Sequence, residues 1–537
     1  MDLLPVDHRP GQAGVTAAGG EAAAGQEATA RRAPRPVGPA PWAALKGLLW
    51  LFVAVVLVAR AAWNVEYLNR ALRVDGPNTI GEAGKVYFAL RFMNGESAFS
   101  AGTEPPFYPS VHGALTHAPV GLVGRALELE ATQLYGVGRF ISVLLTLGAV
   151  VLLGDLGRRM RVSWPLATVG AAAWLGTYAL VQHSVSFRPD NWILFLSAAA
   201  CWLLAVRPND RGSLVALVLL PAVAFHVKAT GLVLVGAVGL FHAVRRQWGR
   251  AAWMAGAQVA IVAATVLVLD SASEGVYLAG LGGATKVAAG LDYVWAAVRA
   301  EGDPLVLALL SVPVLAVIRL FRDAETSAWS TSAAVACFWA ATLVGAGLAS
   351  ARAGSGPYYF LEPASFGLLL VLIWARGPRP DAPPTVRPYV VLAALAVACL
   401  PTGARWVRDG HPVDVAYFRS QLLSGSRAAV AARINERGHL CYSDDPGLNA
   451  LLRRPAVIYP VLHLQMIEAG TLPESSLYEP FERAAYDCVV LSGINRIYRG
   501  QPVVPPRVIE MATAAYPLVE RVGRYRILHR QAPDPAR

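Results

Sequence analysis

The amino-acid sequence predicts a polytopic α-helical membrane protein of about eleven transmembrane helices, with a small C-terminal α/β domain. Three observations carry this. Hydrophobic residues fill 55% of the 537 positions and charged residues only 15%, against about 25% charged in a soluble chain. Mean hydropathy is +0.44. Apolar stretches approaching the roughly 20 residues of a membrane span recur through 42–403, and the pattern then changes. This composition excludes an ordinary soluble enzyme, a disordered protein and a nucleic-acid-binding domain built on a basic surface.

Residues 1–41 are rich in Ala, Gly and Pro and balance Asp2, Asp7, Glu21 and Glu27 against Arg9, Arg31, Arg32 and Arg35. They read as a disordered cytoplasmic tail. They do not read as a secretory signal peptide, because the first apolar stretch begins only near Pro41.

Candidate spans lie near 43–62, 138–156, 165–183, 191–206, 213–225, 229–244, 251–269, 304–321, 330–350, 361–376 and 388–403. The fifth and sixth are short and read as a hairpin turning near His226–Lys228, between Arg211 and Arg245–Arg246. With the N-terminus inside, short inner loops hold Arg158, Arg159, Arg161, Arg207, Arg211, Arg245, Arg246, Arg250, Arg319, Arg322, Arg376, Arg379 and Arg387. The outer connections between spans two and eleven hold only Arg188, Lys228, Lys286, Arg299 and Arg352. This bias follows the positive-inside rule and places the C-terminus outside. The net charge of +11 therefore reflects orientation more than an anionic partner.

Residues 404–537 predict an extracytoplasmic α/β domain. Helices are expected near 414–437 and 461–470, and strands at 438–443, 487–492 and 524–529. Five cysteines and no CxxC spacing argue against a disulfide scaffold or a zinc site. Cys441 and Cys488 fall in predicted outer strands, where a disulfide and two buried thiols are both open readings. Cys201, Cys337 and Cys399 read as packing residues within spans. Asp444 and Asp445 read as turn and helix-capping residues.

The first external loop, about 64–136, is long enough to suggest function. Its segment from Asn78 to Glu96 reads as an amphipathic helix at the membrane surface. Glu82 has two readings. With Thr79 it forms a capping box, or it is a general base at the bilayer rim. Asp75 is the nearby substitute, or a turn residue before Gly76–Pro77. The prolines of Glu104–Pro109 suggest a rigid loop at the site entrance. His112 and His117 are five apart, which is not helical metal-pair spacing, and read as solvated or core histidines.

Further along, Arg188 and Asp190, Lys228, and the set Arg352, Tyr358, Tyr359 and Glu362 lie at span ends on the same outer face. Snorkelling or structural pairing is one explanation. Their convergence favours another, a site for a lipid-linked phosphate held by Arg188, Lys228 and Arg352.

At these residues the chain resembles the GT-C membrane glycosyltransferases, in the bacterial branch related to protein mannosyltransferases and to aminoarabinose transfer onto lipid A. The matching features run in order: the acidic external loop, Pro105–Pro109, Gly138-Arg139-Phe140-Ile141-Ser142, Arg188-Pro189-Asp190, Lys228-Ala229-Thr230 and Tyr358-Tyr359-Phe360-Leu361-Glu362. The resemblance covers about 42–376 and, more weakly, the C-terminal domain.

The resemblance implies an inverting transferase in a bacterial inner membrane. It would move a sugar from a polyprenyl-phosphate donor to a hydroxyl of a lipid, glycan or protein, with no nucleic-acid partner. Carried over, Glu82 matches the loop acid that serves as base, Arg188 and Lys228 hold the phosphate with Arg352 assisting, and Asp190 orients Arg188 or touches the sugar; Asp75 as substitute base and Tyr358, Tyr359 and Glu362 as substrate contacts complete the candidate set. Relatives often carry an Asp-Glu pair where this chain has Gly81-Glu82. A divalent metal cofactor is therefore left unassigned. The competing reading is a membrane transporter or lipid flippase.

Overall fold

A computed structural model describes residues 40–376 apart from 75, 78, 79, 98, 103, 111, 286, 302, 303, 323–328 and 353–355. It also describes residue 400, and 425–531 apart from 494–496, 499 and 500. Asp75, the eleventh predicted span and most of the tail lie outside these residues.

Among the described residues sixteen α-helices make up the first part. In chain order they are α1 (Ala40–Leu72), α2 (Ile80–Met93), α3 (Ala114–Ala126), α4 (Gln133–Arg159), α5 (Trp164–Leu175), α6 (Tyr178–Val185), α7 (Pro189–Val206), α8 (Arg211–Val227), α9 (Val233–Val244), α10 (Trp248–Ala272), α11 (Val276–Leu281), α12 (Leu291–Glu301), α13 (Pro304–Ser311), α14 (Pro313–Arg322), α15 (Trp329–Ser350) and α16 (Leu361–Arg376). Among the described residues six stretches are long and apolar enough to cross a membrane: Leu51–Leu72, Gln133–Arg159, Pro189–Val206, Trp248–Ala272, Thr331–Ser350 and Tyr358–Ala375. Leu51, Val55 and Val58 on α1 and Val259, Leu267 and Val268 on α10 are exposed. Apolar faces of this extent are what lipid contact requires. The chain is thus a polytopic membrane protein.

Two expected spans are each built from two helices. The stretch 165–183 breaks at Gly176–Thr177, between α5 and α6. The carbonyls freed there are taken by α1: Arg60 Nε donates to Gly176 O at 2.8 Å and Asn64 Nδ2 to Leu175 O at 2.7 Å. Backbone breaks at membrane depth need such partners. The stretch 304–321 breaks at Val312, before Pro313, whose ring cannot continue the preceding hydrogen-bond ladder. The expected hairpin is present, and α8 ends at Val227, next to an extended Lys228.

The second part carries a four-stranded sheet. Strands are β1 (Cys441–Ser443), β2 (Cys488–Leu491), β3 (Ile497–Tyr498), β4 (Gln501–Pro502), β5 (Leu518–Val522) and β6 (Tyr525–His529). The order is β1-β2-β6-β5, with β1 parallel to β2 and the other pairs antiparallel, while β3 and β4 pair separately. Helices α17 (425–436), α18 (Pro446–Asn449), α19 (Pro460–Glu468), α20 (Ser475–Glu482) and α21 (Pro506–Ala515) accompany it. Cys441 and Cys488 face each other in register and form a disulfide.

Helix α2 departs from expectation. It is not a surface helix with one wet face: Glu82 through Ala89 are all buried. One side packs Ala83, Tyr87 and Phe88 against Tyr108, Ala450 and Ile458. The other packs Val86 and Ala89 against Val120, Leu134, Tyr135 and Phe187. Close approach is built in. A Cβ on Gly121 would lie 2.6 Å from Ala89 O, and one on Gly84 would run into the Tyr108 ring.

Candidate active site

The site grows from the first turns of α2 and α7 and from the turn after α8. Arg188 is extended and immediately precedes α7, and Asp190 lies in that helix's first turn. Lys228 is held by its backbone: its N–H donates to Ala224 O, and it bridges to His112. Thr116 Oγ1 and the N–H of Gly113 both donate to Val227 O, at 2.9 and 3.2 Å. Gly113 has no room for a side chain, since a Cβ there would sit 1.7 Å from His226 O. The loop before α3 is therefore zipped to the hairpin turn.

These elements bring Asp190 and Lys228 together. Lys228 Nζ donates to Asp190 Oδ1 at 2.5 Å, and both side chains are buried. Arg188 Nη1 lies 3.9 Å from Asp190 Oδ2, so the nearer cation is Lys228, not the sequence neighbour. Tyr358 and Tyr359 complete the arrangement. The Arg188 guanidinium lies 3.9 Å from the Tyr358 ring centre and Lys228 Nζ 3.9 Å from that of Tyr359. Desolvated cation–π contacts hold such cations without neutralising them.

Lys85 joins the same cluster from α2. A Cβ on Gly81 would lie 2.9 Å from Arg188 Nη2 and 3.7 Å from Lys85 Nζ. Both cations thus crowd around the bare backbone of Gly81. Burial first, then the Arg188 charge, pushes the Lys85 ammonium down to about 7. Burial likewise drives His112 well below its usual range and His117 down to about 3, so both rings are neutral. Among the described residues neither nitrogen of His117 or His183 finds a partner.

Glu82, expected as a base, has another place. Its carboxylate is fully buried against Arg139, which is equally buried. It accepts from Arg139 Nε at 3.1 Å, from Arg139 Nη2 at 2.8 Å and from the Phe187 N–H at 2.8 Å. Arg139 also donates to the carbonyls of Ala71 and Val74, at 2.9 and 2.6 Å, and to that of Gly76. A carboxylate engaged this way has its lone pairs occupied by three donors. It ties the end of α1, the start of α2 and the segment before α7 together. The structure thus places Glu82, expected as a base, in a buried ion pair with Arg139. The capping-box partner Thr79 lies outside the described residues.

Glu362 accepts from Ser197 Oγ at 2.6 Å. With Asp190, Thr230, Tyr359 and Gly345 it lines a cavity of about 10 Å³, room for about one water. Thr230, Val233 and Gly345 are shared with a larger groove of about 680 Å³ between α9 and α15. Its walls are small and apolar, including Gly236, Ala340, Ala341, Val344 and Ala349. Arg352 lines this groove.

The C-terminal region roofs the cluster through the 104–110 loop. Ile458 N–H donates to Pro106 O at 3.2 Å, and the Phe107 ring stacks on His463 at 4.7 Å. Asp445 caps α18 through Gly447 N–H and accepts from Arg427 at 2.8 Å and Tyr525 at 2.6 Å. Asp444 accepts from the Ser492 N–H at 2.7 Å and its hydroxyl at 3.0 Å. Both aspartates therefore serve turns. Among the described residues the one group with metal-ligand spacing is His439, Cys441 and Cys488, whose two sulfurs are joined in the disulfide.

No family model matches the chain, and no curated protein does. Among solved structures it is similar to ArnT from Cupriavidus metallidurans bound to undecaprenyl phosphate, at 15% identity and TM-score 0.49, covering 92% of this chain and 99% of that one. It is also similar to the Archaeoglobus fulgidus oligosaccharyltransferase tethered to an acceptor peptide, at 12% identity and TM-score 0.47, covering 82% and 68%. A complex of that oligosaccharyltransferase with Zn and sulfate gives 14% identity and TM-score 0.38, covering 86% and 71%.

Proposed function

We propose that this chain is a GT-C glycosyltransferase that moves a sugar from a polyprenyl-phosphate donor to an acceptor hydroxyl on the extracytoplasmic face. One observation carries the reading: a buried cation cluster next to an apolar groove. Among the described residues Arg188 and Lys228 share one ion-paired carboxylate, Asp190, and lean on two aromatic rings. The cluster holds surplus positive charge, which suits an anion such as a lipid-linked phosphate. The groove has walls suited to an isoprenoid chain, with Arg352 and Thr230 along it.

In this reading the phosphate displaces part of the Asp190 pairing and lies between Arg188 and Lys228. Cations already in place stabilise the charge that builds on the leaving phosphate. Tyr358, Tyr359, Asp190 and Glu362 border the sugar. Arg352 meets the donor from the groove side. Asp75 remains a loop acid of the proposal, and Glu82 holds the scaffold. Orientation with the C-terminal domain outside, in a bacterial cytoplasmic membrane, belongs to the same proposal.

The test is donor consumption by the purified full-length protein. Polyprenyl-phosphate-linked mannose, glucose, galactose and aminoarabinose are supplied in turn, with Lys228→Ala as control. Release of polyprenyl phosphate from one donor, lost in the variant, supports the reading. Movement of intact donor across vesicle membranes without cleavage would favour the flippase instead.

A further inference from the structure

Helix α12 turns two large apolar side chains outward. Leu291 is 83% exposed and Trp295 55%. They stand four residues apart and so share one face of the helix. Ala297 comes two residues after Trp295, on the opposite side, and is buried with Val306, Ala346 and Phe360. Asp292 is exposed next to Leu291. One side of α12 therefore packs on the protein, and an apolar edge is left outside.

Two tethers fix the level of α12 in the fold. At its start, the Gly290 N–H donates to Ala351 O at 3.0 Å and Ala289 bridges to Arg352. Ala351 directly follows α15, whose Thr331–Ser350 stretch is long and apolar enough to cross a membrane. Farther along, Ala297 shares a cluster with Ala346, little more than one turn back from that end of α15. The levels of Ala346 and Ala351 are about 7.5 Å apart at 1.5 Å per residue. An amphipathic helix in a membrane interface sinks its apolar face by about 5–10 Å. Leu348 and Val344 on α15 are also exposed, so an apolar stripe runs from a membrane span up to Leu291.

We propose that α12 is an interfacial helix whose Leu291–Trp295 edge sits in the headgroup boundary of the bilayer and fixes the groove mouth at the lipid surface. Lipid is the occupant of this edge because the edge continues a lipid-facing stripe at the end of a span. Tryptophan suits such a place, with an apolar ring and a polar N–H. The tethers carry the anchoring to the groove: Leu348, Ala349 and Arg352 line it, and the 289–290 segment holds the backbone of 351–352. Phe360, against which Ala297 packs, follows Tyr359. The inference concerns lipid contact and stands whether or not the chain transfers a sugar.

The test places a nitroxide, one at a time, at Leu291→Cys, Asp292→Cys, Trp295→Cys and Leu348→Cys in the full-length protein. Each is reconstituted in phosphatidylcholine–phosphatidylglycerol vesicles. Cys201 and Cys337 are buried and Cys441 and Cys488 are bonded, and the signal of wild type treated alike is subtracted. Accessibility to oxygen, which partitions into lipid, is compared with that to a water-soluble nickel chelate. The oxygen-to-nickel ratio is expected to be severalfold higher at 291, 295 and 348 than at 292, with 348 deeper than 291. The 291 and 295 labels report independently, and melting checks that each labelled protein is folded. Ratios at 291 and 295 equal to that at 292, with 348 in lipid, would mean that α12 stands clear of the bilayer and would overturn the proposal. Protection of 291 and 295 from both reagents would mean that protein covers the edge, a second copy or another partner, and would overturn it as well.

Discussion

Glu82 and Arg139 form a fully buried ion pair that joins the first turn of α2 to the first turns of α4. The pair closes a circuit. Arg139 also binds carbonyls at the end of α1, and Glu82 also binds the backbone just before Arg188. Removing one partner leaves a charge in a dry interior, which costs about 3–5 kcal/mol. Arg139→Met and Glu82→Ala are each expected to lower thermal stability by that order, and Glu82→Gln by less because its shape and part of its hydrogen bonding survive. The double variant Glu82→Gln/Arg139→Met should destabilise less than the sum of the single changes. Melting of the detergent-solubilised protein reads the coupling, and strict additivity would mean the two charges do not interact.

Lys228→Ala should behave differently from the Arg139 change. Lys228 holds Asp190 at one end and leans on Tyr359 at the other. Its loss leaves Asp190 with Arg188, at 3.9 Å, as its one ion-pair partner among the described residues. Undecaprenyl phosphate affinity is expected to fall about tenfold or more, equivalent to at least about 1.4 kcal/mol. Lys228→Arg should restore part of it, since charge is kept but the compact ammonium geometry is lost. Titration of both variants with undecaprenyl phosphate measures this, and equal affinity in all three proteins would remove Lys228 from the phosphate site.

Much of this site is legible in the sequence, for a physical reason. Arg188, Asp190, Lys228, Tyr358 and Tyr359 stand at the ends of apolar runs, where charge is costly and orientation counting puts them on one face. Arg139 and Lys85 are harder to see. Arg139 stands inside an apolar run whose polar partners come from segments before it and after it. Lys85 belongs to a helix whose pattern suits a membrane surface. Ala450, Ile458, Tyr459 and Leu462, from the far end of the chain, and Tyr108 help bury its second side. A helix's exposure depends on what covers it, and covering segments that distant leave no local signal.

The groove invites a steric test. Gly236 lines it, and a Cβ there meets nothing within 4 Å. Gly236→Leu therefore fills the groove without straining the backbone pack. Gly345→Leu is the contrasting change, because a Cβ there would already sit 2.8 Å from Val233 Cγ2. The expected result for Gly236→Leu is unchanged melting with a raised KM for long-chain donors and little change for short-chain ones. Equal KM values for both chain lengths, in wild type and variant, would place the lipid elsewhere.

The disulfide pins β1 to β2 and closes 47 positions of chain. A loop of that size contributes about 2–4 kcal/mol by restricting the unfolded chain. Cys441→Ser/Cys488→Ser is expected to lower the melting point of the sheet region. Because that region roofs the 104–110 loop, donor turnover should fall in parallel. Intact mass after thiol labelling, with and without reductant, checks the bond itself. Labelling of all five cysteines without reductant, in denaturant, would show it absent.

Lys85 also makes stability depend on pH, with a sign that can be worked out. Its ordinary value is 10.5 in the unfolded chain and about 7 in the folded one. Below about 7 the lysine is protonated in both states, and folding bears the full penalty of burying the ammonium. Between about 7 and 10.5 the unfolded state binds the proton and the folded state does not. Stability therefore rises with pH across this window. His112 and His117 titrate below it, since both are shifted down when folded. The difference between wild type and Lys85→Met isolates the lysine from tyrosines that titrate near its upper end. That difference should be largest at pH 7, with the methionine variant the more stable, and should shrink steadily toward pH 10.5. A difference that does not change from pH 6 to 10.5 would mean that Lys85 keeps its proton on folding. It would then be a permanent cation of the cluster.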